Sequence, residues 1–190
     1  MVKLVRQSLL MLLLLTSITG AIYPLAVAGI GQLAFARNAN GSVIERNGKP
    51  LGSALIGQAF TDPKYFWSRP SATAPFANNP SASGASNLGP TNPVLAAAVK
   101  QRIAALRAAD PDNTAAVPVD LVTASASGVD PHISPAAAQY QLARVARVRG
   151  RTPAEIATLV EQATEGRQFA LLGEARVNVL KLNLLLDRRW

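Results

Sequence analysis

The chain has 190 residues, a formal net charge of +8, one histidine and no cysteine. These counts exclude disulfides and thiolate metal sites, and aromatics at 5% leave few rings for stacking on nucleic acid. The apolar residues are unevenly placed, and that unevenness divides the chain.

From Gln7 to Ala36 there is no Asp, Glu, Lys, Arg or His, and Leu9 to Leu15 is almost purely aliphatic. Roughly 20 apolar helical residues cross a bilayer core, so the sequence predicts a transmembrane helix over 7–30. A short head, residues 1–6, precedes it, and a soluble domain, residues 31–190, follows. A second reading is a cleaved secretory signal: Lys3 and Arg6 supply a basic start, and Ala26-Val27-Ala28 is a small-residue exit just after Pro24. The product would be a free secreted binding domain, with no partner complex. Lys3 and Arg6 stand against Arg37, Arg46 and Lys49, so flanking charge is nearly balanced. The short head favours a cytoplasmic N-terminus, and both readings export the rest. Beyond Ala36 lie 154 residues (190 − 36) with net charge +6 (17 − 11), enough for one domain with a real core.

Asn47-Gly48 between two short runs predicts a hairpin, with Pro50 confining its strand to an edge. Ala54 to Gln58 reads as a short strand or turn. Tyr65, Phe66 and Trp67 stand together between Pro63 and Pro70, as a packed cluster or a contact surface. Residues 68–93 hold five prolines among Ser, Ala, Asn and Gly, the composition of a long irregular loop or linker. Asn92-Pro93 opens a helix with Leu95, Val99, Ile103 and Leu106 on one face, ending near Ala109. Val117 to Ala124 reads as a strand. Ser134-Pro135 opens a second helix to about Arg149. Thr152-Pro153-Ala154-Glu155 is a capping box starting a third, with Ile156, Leu159, Val160 and Ala163 inward and an end near Gly166. Residues 177–186 fit strand or helix, and the helix is preferred, with Asn178 as its cap. Arg144, Arg147, Arg149 and Arg151 read as a solvated helix face. The fold class expected is α+β: one transmembrane helix and a single exported α+β domain.

No catalytic or metal-binding pattern emerges. Ser125 or Ser127, Asp130 and His132 are too local for a triad, and no Gly-x-Ser-x-Gly elbow or phosphate loop is present. One His and no Cys give no metal set. From its residues alone the chain reads as an exported accessory or binding domain on a tether.

Longer motifs carry a resemblance. Gly52 to Gln58, Tyr65 to Ala72, Ser83 to Pro93, Asp120 to Pro135 and Arg176 to Asn183 follow one family's order. The chain resembles the C subunits of bacterial Kdp potassium-transporting P-type ATPases over essentially its whole length; Ala85 departs where the family often has Gly. The resemblance implies an uncleaved, single-pass subunit of the inner membrane. Its expected partners are a channel-like potassium-binding subunit, a P-type ATPase subunit and a small stabilising subunit. ATP and potassium would be handled by the complex, with no cofactor bound directly by this chain. The family's C subunit is described as a catalytic chaperone that raises ATP affinity and supports assembly, and as a cap at the channel-like subunit's external mouth.

By the same resemblance, Ser125, Ser127, Gly128 and Gln141 correspond to a nucleotide-contacting signature. An exported domain keeps them from cytoplasmic ATP, so any effect on nucleotide affinity is expected to be allosteric. A net charge of +6 does not attract potassium by its overall field. A cap would therefore need Asp62, Asp120 and Asp130, or loop carbonyls, to face the ion path. Tyr65, Phe66, Trp67, Arg69, Asn87 and Asn92 are the expected docking residues on the channel-like subunit.

Overall fold

The computed structural model describes residues 1–189. They divide into two compact units, one ending at Leu51 and the other beginning at Gly52.

The first unit is dominated by helix from Val2 to Ala39, 38 residues or about 57 Å at 1.5 Å per residue. It is long and apolar enough to cross a membrane, and none of its most apolar stretch is buried by the chain. It consists of α1 (Val2–Ser17), a π turn (Ile18–Ile22) and α2 (Tyr23–Ala39). The π turn has a local cause. Pro24 lacks an N–H, and its ring crowds the carbonyl four residues back, at Gly20. The widened turn around Gly20, where the Tyr23 N–H reaches back to Ile18, relieves that crowding. Ser17 and Thr19 satisfy their hydroxyls on the carbonyls of Leu13 and Leu15, each at 2.8 Å. Helical backbone runs past the expected boundary at Ile30, is kinked at Phe35 (φ −138°, ψ 38°) and ends at Ala39, and Ala26-Val27-Ala28 lies inside it. The hairpin follows as expected: β1 (Val43–Arg46) and β2 (Lys49–Ser53) are joined through Asn47 and Gly48, both at positive φ.

The second unit is α+β. Its helices are α3 (Pro93–Ala109), α4 (Pro135–Val148), α5 (Pro153–Ala163) and α6 (Val179–Arg189). A small antiparallel sheet has the order β3 (His132–Ile133), β5 (Arg176–Asn178), β4 (Thr164–Glu165). Ile133 and Thr164 both pair with Val177, which is fully buried. Helices α3, α4 and α5 begin at caps written into the sequence. The side chains of Asn92, Ser134 and Thr152 accept from backbone amides of the first turn, each with Pro at the next position. The core joins Phe66, Leu106, Val145, Ile156, Val177, Leu182 and Leu186.

Two expectations are corrected and a third is refined. Val117 to Ala124 is not a strand: Val119–Leu121 is one 3₁₀ turn after Pro118. Leu121 and Val122 are adjacent yet both buried, whereas a strand would point them to opposite faces. Helix α5 stops at Ala163, because Thr164 turns extended and joins the sheet. The preferred helix over 177–186 is present from Val179 onward, with Val177 and Asn178 belonging to β5 instead. Asn178 ends β5 and caps α6, its side-chain oxygen accepting from Lys181 N at 3.0 Å.

Candidate functional site

The densest polar construction of the second unit surrounds the Tyr65-Phe66-Trp67 segment. Phe66 is completely buried, and its backbone is clamped by Asn183 of α6. The Phe66 N–H donates to Asn183 Oδ1 at 2.9 Å, and Asn183 Nδ2 donates to the Phe66 carbonyl at 3.0 Å. Trp67 is held in the same way by Gln141 of α4, through Trp67 N–H to Oε1 at 2.7 Å and Nε2 to the Trp67 carbonyl at 3.1 Å. Two side-chain amides thus give consecutive residues of an irregular segment the paired bonds a neighbouring strand would give.

Arginines lock the outer side. Arg144 is 1% exposed, with its guanidinium 4.7 Å from the Trp67 ring centroid. It donates to the Pro63 carbonyl and to Gln141 Oε1. Burial pulls its pKa down to about 10, and nearby Asp110 pushes the other way, so it stays charged at neutral pH. Arg149 donates to the Lys64 carbonyl, pairs with Asp187 at 2.8 Å and covers the Tyr65 ring. The Tyr65 hydroxyl donates to Asp187, and burial, reinforced by that carboxylate, holds the phenol above its ordinary pKa. The expected solvated arginine face is corrected for Arg144 and Arg149, which turn inward onto carbonyls and rings of the 62–67 segment, while Arg147 and Arg151 stay exposed.

The Pro-rich segment is fixed from the other end. Ser125 N–H donates to the Pro70 carbonyl and Ala72 N–H to the Ser125 carbonyl, both at 2.8 Å. Gly84 N–H donates to the Ala126 carbonyl at 2.8 Å, and Gly128 N–H to Ser83 Oγ at 3.1 Å. Gly128 is needed here, since a Cβ at that position would overlap the Asn79 carbonyl. Within the loop, Ser71, Thr73 and Asn79 fold their side chains onto its own backbone.

These contacts place each expected residue. Ser125, Ser127 and Gly128 do lie together, but they form the seam with the 70–84 loop; Ser125 Oγ accepts from Ser127 N–H and Ser127 Oγ from Val129 N–H. Gln141 is 1% exposed and sits in the amide clamp. Among the expected docking residues, Phe66 is core, and Tyr65 and Trp67 are half-buried. Arg69 pairs with Asp130 at 3.3 Å, and Asn92 caps α3. Asn87 is exposed at positive φ. The three aspartates considered for an ion path are engaged as well: Asp62 with Lys64, Asp120 with Ser134, and Asp130 with Arg69 and His132 N–H. His132 lies 3.7 Å from Glu165, which also binds Arg176 and Lys181.

A family model described as "KdpC: K+-transporting ATPase, c chain" matches residues 5–188. The chain belongs to the KdpC family. The potassium-transporting ATPase KdpC subunit of Methylococcus capsulatus is 66% identical over 182 residues, 96% of each chain. That of Polaromonas naphthalenivorans is 65% identical over 187 residues, covering 98% of this chain and 95% of the relative. That of Methylibium petroleiphilum is 61% identical over 189 residues, covering 100% and 99%. The match takes in the apolar helix and the second unit together.

Sequence reasoning missed Asn183 and Arg144 as partners of the aromatic segment. A signal for Arg144 existed: Ala137, Gln141 and Arg144 recur at helical spacing on one face of α4, and all three are buried. Asn183 shares the inward face of α6 with Val179, Leu180 and Leu186.

Proposed function

We propose that this chain is a non-catalytic, membrane-anchored subunit of an ATP-driven potassium uptake complex, acting through contact with its partners. Residues 7–30 hold it in the bacterial inner membrane, with the N-terminus cytoplasmic and the soluble unit exported. The channel-like subunit selects potassium, the P-type subunit hydrolyses ATP, and the small subunit completes the assembly. This chain stabilises that assembly, raises the ATPase subunit's ATP affinity as a catalytic chaperone, and caps the external potassium entrance. The anchoring supports this reading, as do family relatives that are potassium-transporting ATPase subunits.

The observation that carries the allosteric form of the proposal is the state of Gln141. Its Nε2 donates to the carbonyls of Trp67 and Ala137, and its Oε1 accepts from Trp67 N–H and Arg144. Two donors and two acceptor positions are all in use, so the side chain has none left for a phosphate. The Gly128 amide, in the seam with the 70–84 loop, is likewise spent on Ser83. Influence on nucleotide affinity then runs through packed subunits as a coupling free energy.

The complex purified in mild detergent tests this. The chain should co-purify with its three partners, and its omission should raise the ATP concentration needed for half-maximal, potassium-dependent turnover. An azido-ATP probe should label the ATPase subunit only. Labelling of Ser125–Gly128 in this chain would replace the allosteric reading with direct nucleotide contact. Proteolysis of residues 37–189 by protease added outside intact spheroplasts is expected, and resistance would overturn the external placement.

A further inference from the structure

The connection from β4 to β5 is a finger in which every residue from Gly166 to Arg176 is exposed. Glu165 and Arg176 pair at its base, and near its tip Gln168 and Leu172 exchange backbone hydrogen bonds at 2.9 Å in both directions. The Leu171 N–H also donates to the Gln168 carbonyl at 3.1 Å. This closes a turn with Phe169 and Ala170 at its centre, both at positive φ. Such a turn calls for Asn, Asp or Gly at both central positions, as Asn47-Gly48 supplies in the first hairpin. Phenylalanine is a costly choice there. Its ring takes no part in the packing: Phe169 is 89% exposed, and Leu171 and Leu172 beside it are 80% and 61% exposed. A backbone cost kept for a ring that the described residues leave uncovered points to a use for that ring outside the chain.

Three features select a lipid surface as its cover. The N–H groups of Gln168, Ala170, Leu171 and Leu172 all donate within the finger. A partner strand would find these amides already used, whereas an apolar phase needs them satisfied in this way. The three side chains together offer a few hundred Å², short of the roughly 800 Å² per partner of a stable protein interface. Charge also stops at the neck. Residues 168–173 carry none, while Arg167 bridges to Glu174 at 2.6 Å and Arg176 to Glu165 at 3.1 Å. An uncharged apolar tip beyond paired charges matches the boundary between acyl chains and headgroups. The second unit's net charge of +4 (14 − 10) suits anionic headgroups.

We propose that Phe169, Leu171 and Leu172 insert into the headgroup–acyl boundary of an anionic bilayer, giving the chain a second membrane contact besides its apolar helix. The inference rests on the anchored reading above, which supplies the bilayer.

The test uses the full complex in nanodiscs of phosphatidylethanolamine and phosphatidylglycerol. A benzophenone amino acid in place of Phe169 should form a phospholipid adduct on illumination, and adding Leu171→Ser with Leu172→Ser should remove most of it. A cross-link to a partner-subunit peptide would overturn the lipid assignment in favour of protein docking. Absence of any adduct would leave the tip in water and overturn it as well. The chain has no cysteine, so Phe169→Cys gives one unique label on the full chain in vesicles of the same lipids. A nitrobenzoxadiazole dye there should emit to the blue and be quenched by brominated lipid, with the effect lost in the Leu171→Ser, Leu172→Ser background. Water-like emission would count against insertion. An alkaline carbonate wash separates this inference from its premise. Release of the wild-type chain would sink the anchored reading and this inference with it, whereas a retained chain without a lipid adduct would sink the tip assignment alone.

Discussion

Two irregular segments of the second unit invert the usual relation between composition and order. Residues 62–84 are rich in Pro, Ser, Ala and Asn, yet they contain a fully buried Phe66 and buried Thr73, Asn78 and Asn79. Residues 166–175 carry Phe169, Leu171 and Leu172, yet these are 89%, 80% and 61% exposed. Both carry apolar mass: the first, with Tyr65, Phe66, Trp67 and Phe76, is fastened by side chains of α4 and α6 and by the 125–128 seam, and the second is left largely uncovered by the described residues. Fixation comes from distant partners that satisfy backbone groups, and local hydrophobicity is a poor guide to it.

The contrast breaks most completely at Arg144. Arg144→Met keeps much of the volume but strips the Pro63 carbonyl of its donor and Trp67 of its cation. We expect a loss of about 4 kcal/mol in chemical unfolding, the scale for a buried charged group removed from its partners. Proteolysis should become faster first at residues 62–67. An effect under about 1 kcal/mol would mean that the arginine is not what fastens this segment.

Gly128→Ala attacks the opposite end. A Cβ would overlap the Asn79 carbonyl and lie 2.6 Å from Pro80 Cα, so the seam must part. Overpacking of this kind against backbone costs about 3 kcal/mol. The measurement is urea unfolding, with hydrogen exchange at Gly84 and Gly128 rising together if the seam opens. Protection retained at Gly84 would show that the two strands of contact are independent.

A smaller, pH-dependent effect belongs to the base of the exposed segment, where His132 and Glu165 meet. Burial and Arg176 hold the His132 pKa below its ordinary value. The unfolded chain therefore binds the proton more readily, and stability is full above pH 6.5 and falls as pH drops below it toward the folded pKa. Glu165 is held below the ordinary carboxylate range, first by its hydrogen bond from Lys181. Its contribution is present above the unfolded pKa and is lost as pH falls through the lowered one. Unfolding midpoints at pH 7.5 and 5.5 should differ in the wild type, and His132→Gln should remove most of that difference. An equal pH slope in the variant would assign the acid sensitivity to other groups.

What could be read from the sequence follows the range of the interactions. Helix starts were legible at Asn92, Ser134 and Thr152 because a cap is chemistry within three residues. The Asn47-Gly48 turn was legible for the same reason. The fixed course of 68–93 was not, because Ser71 is ordered by Ser125 and Gly84 by Ala126, residues remote in the chain. Gln141 carries an expected nucleotide-related role by resemblance only, and its buried clamp on Trp67 has no local signature. Arg144 was read by its charge when its place on the inward face of α4 mattered more.

The exposed segment gives the smallest expected effect and the sharpest control. Gln168 and Leu172 pair through their backbones, Arg167 bridges to Glu174 at 2.6 Å, and Phe169 and Ala170 take positive φ at the tip. Nothing in this set depends on the Phe169 or Leu171 side chain. Phe169→Ser with Leu171→Ser should therefore change unfolding stability by no more than about 0.5 kcal/mol, as for surface sites without special contacts. If this segment drives self-association, the same double change should reduce it, since it removes an exposed ring and a branched side chain. A destabilisation above about 1 kcal/mol would mean that these side chains are covered within the chain after all, and segment 166–175 would then be fastened much as 62–84 is.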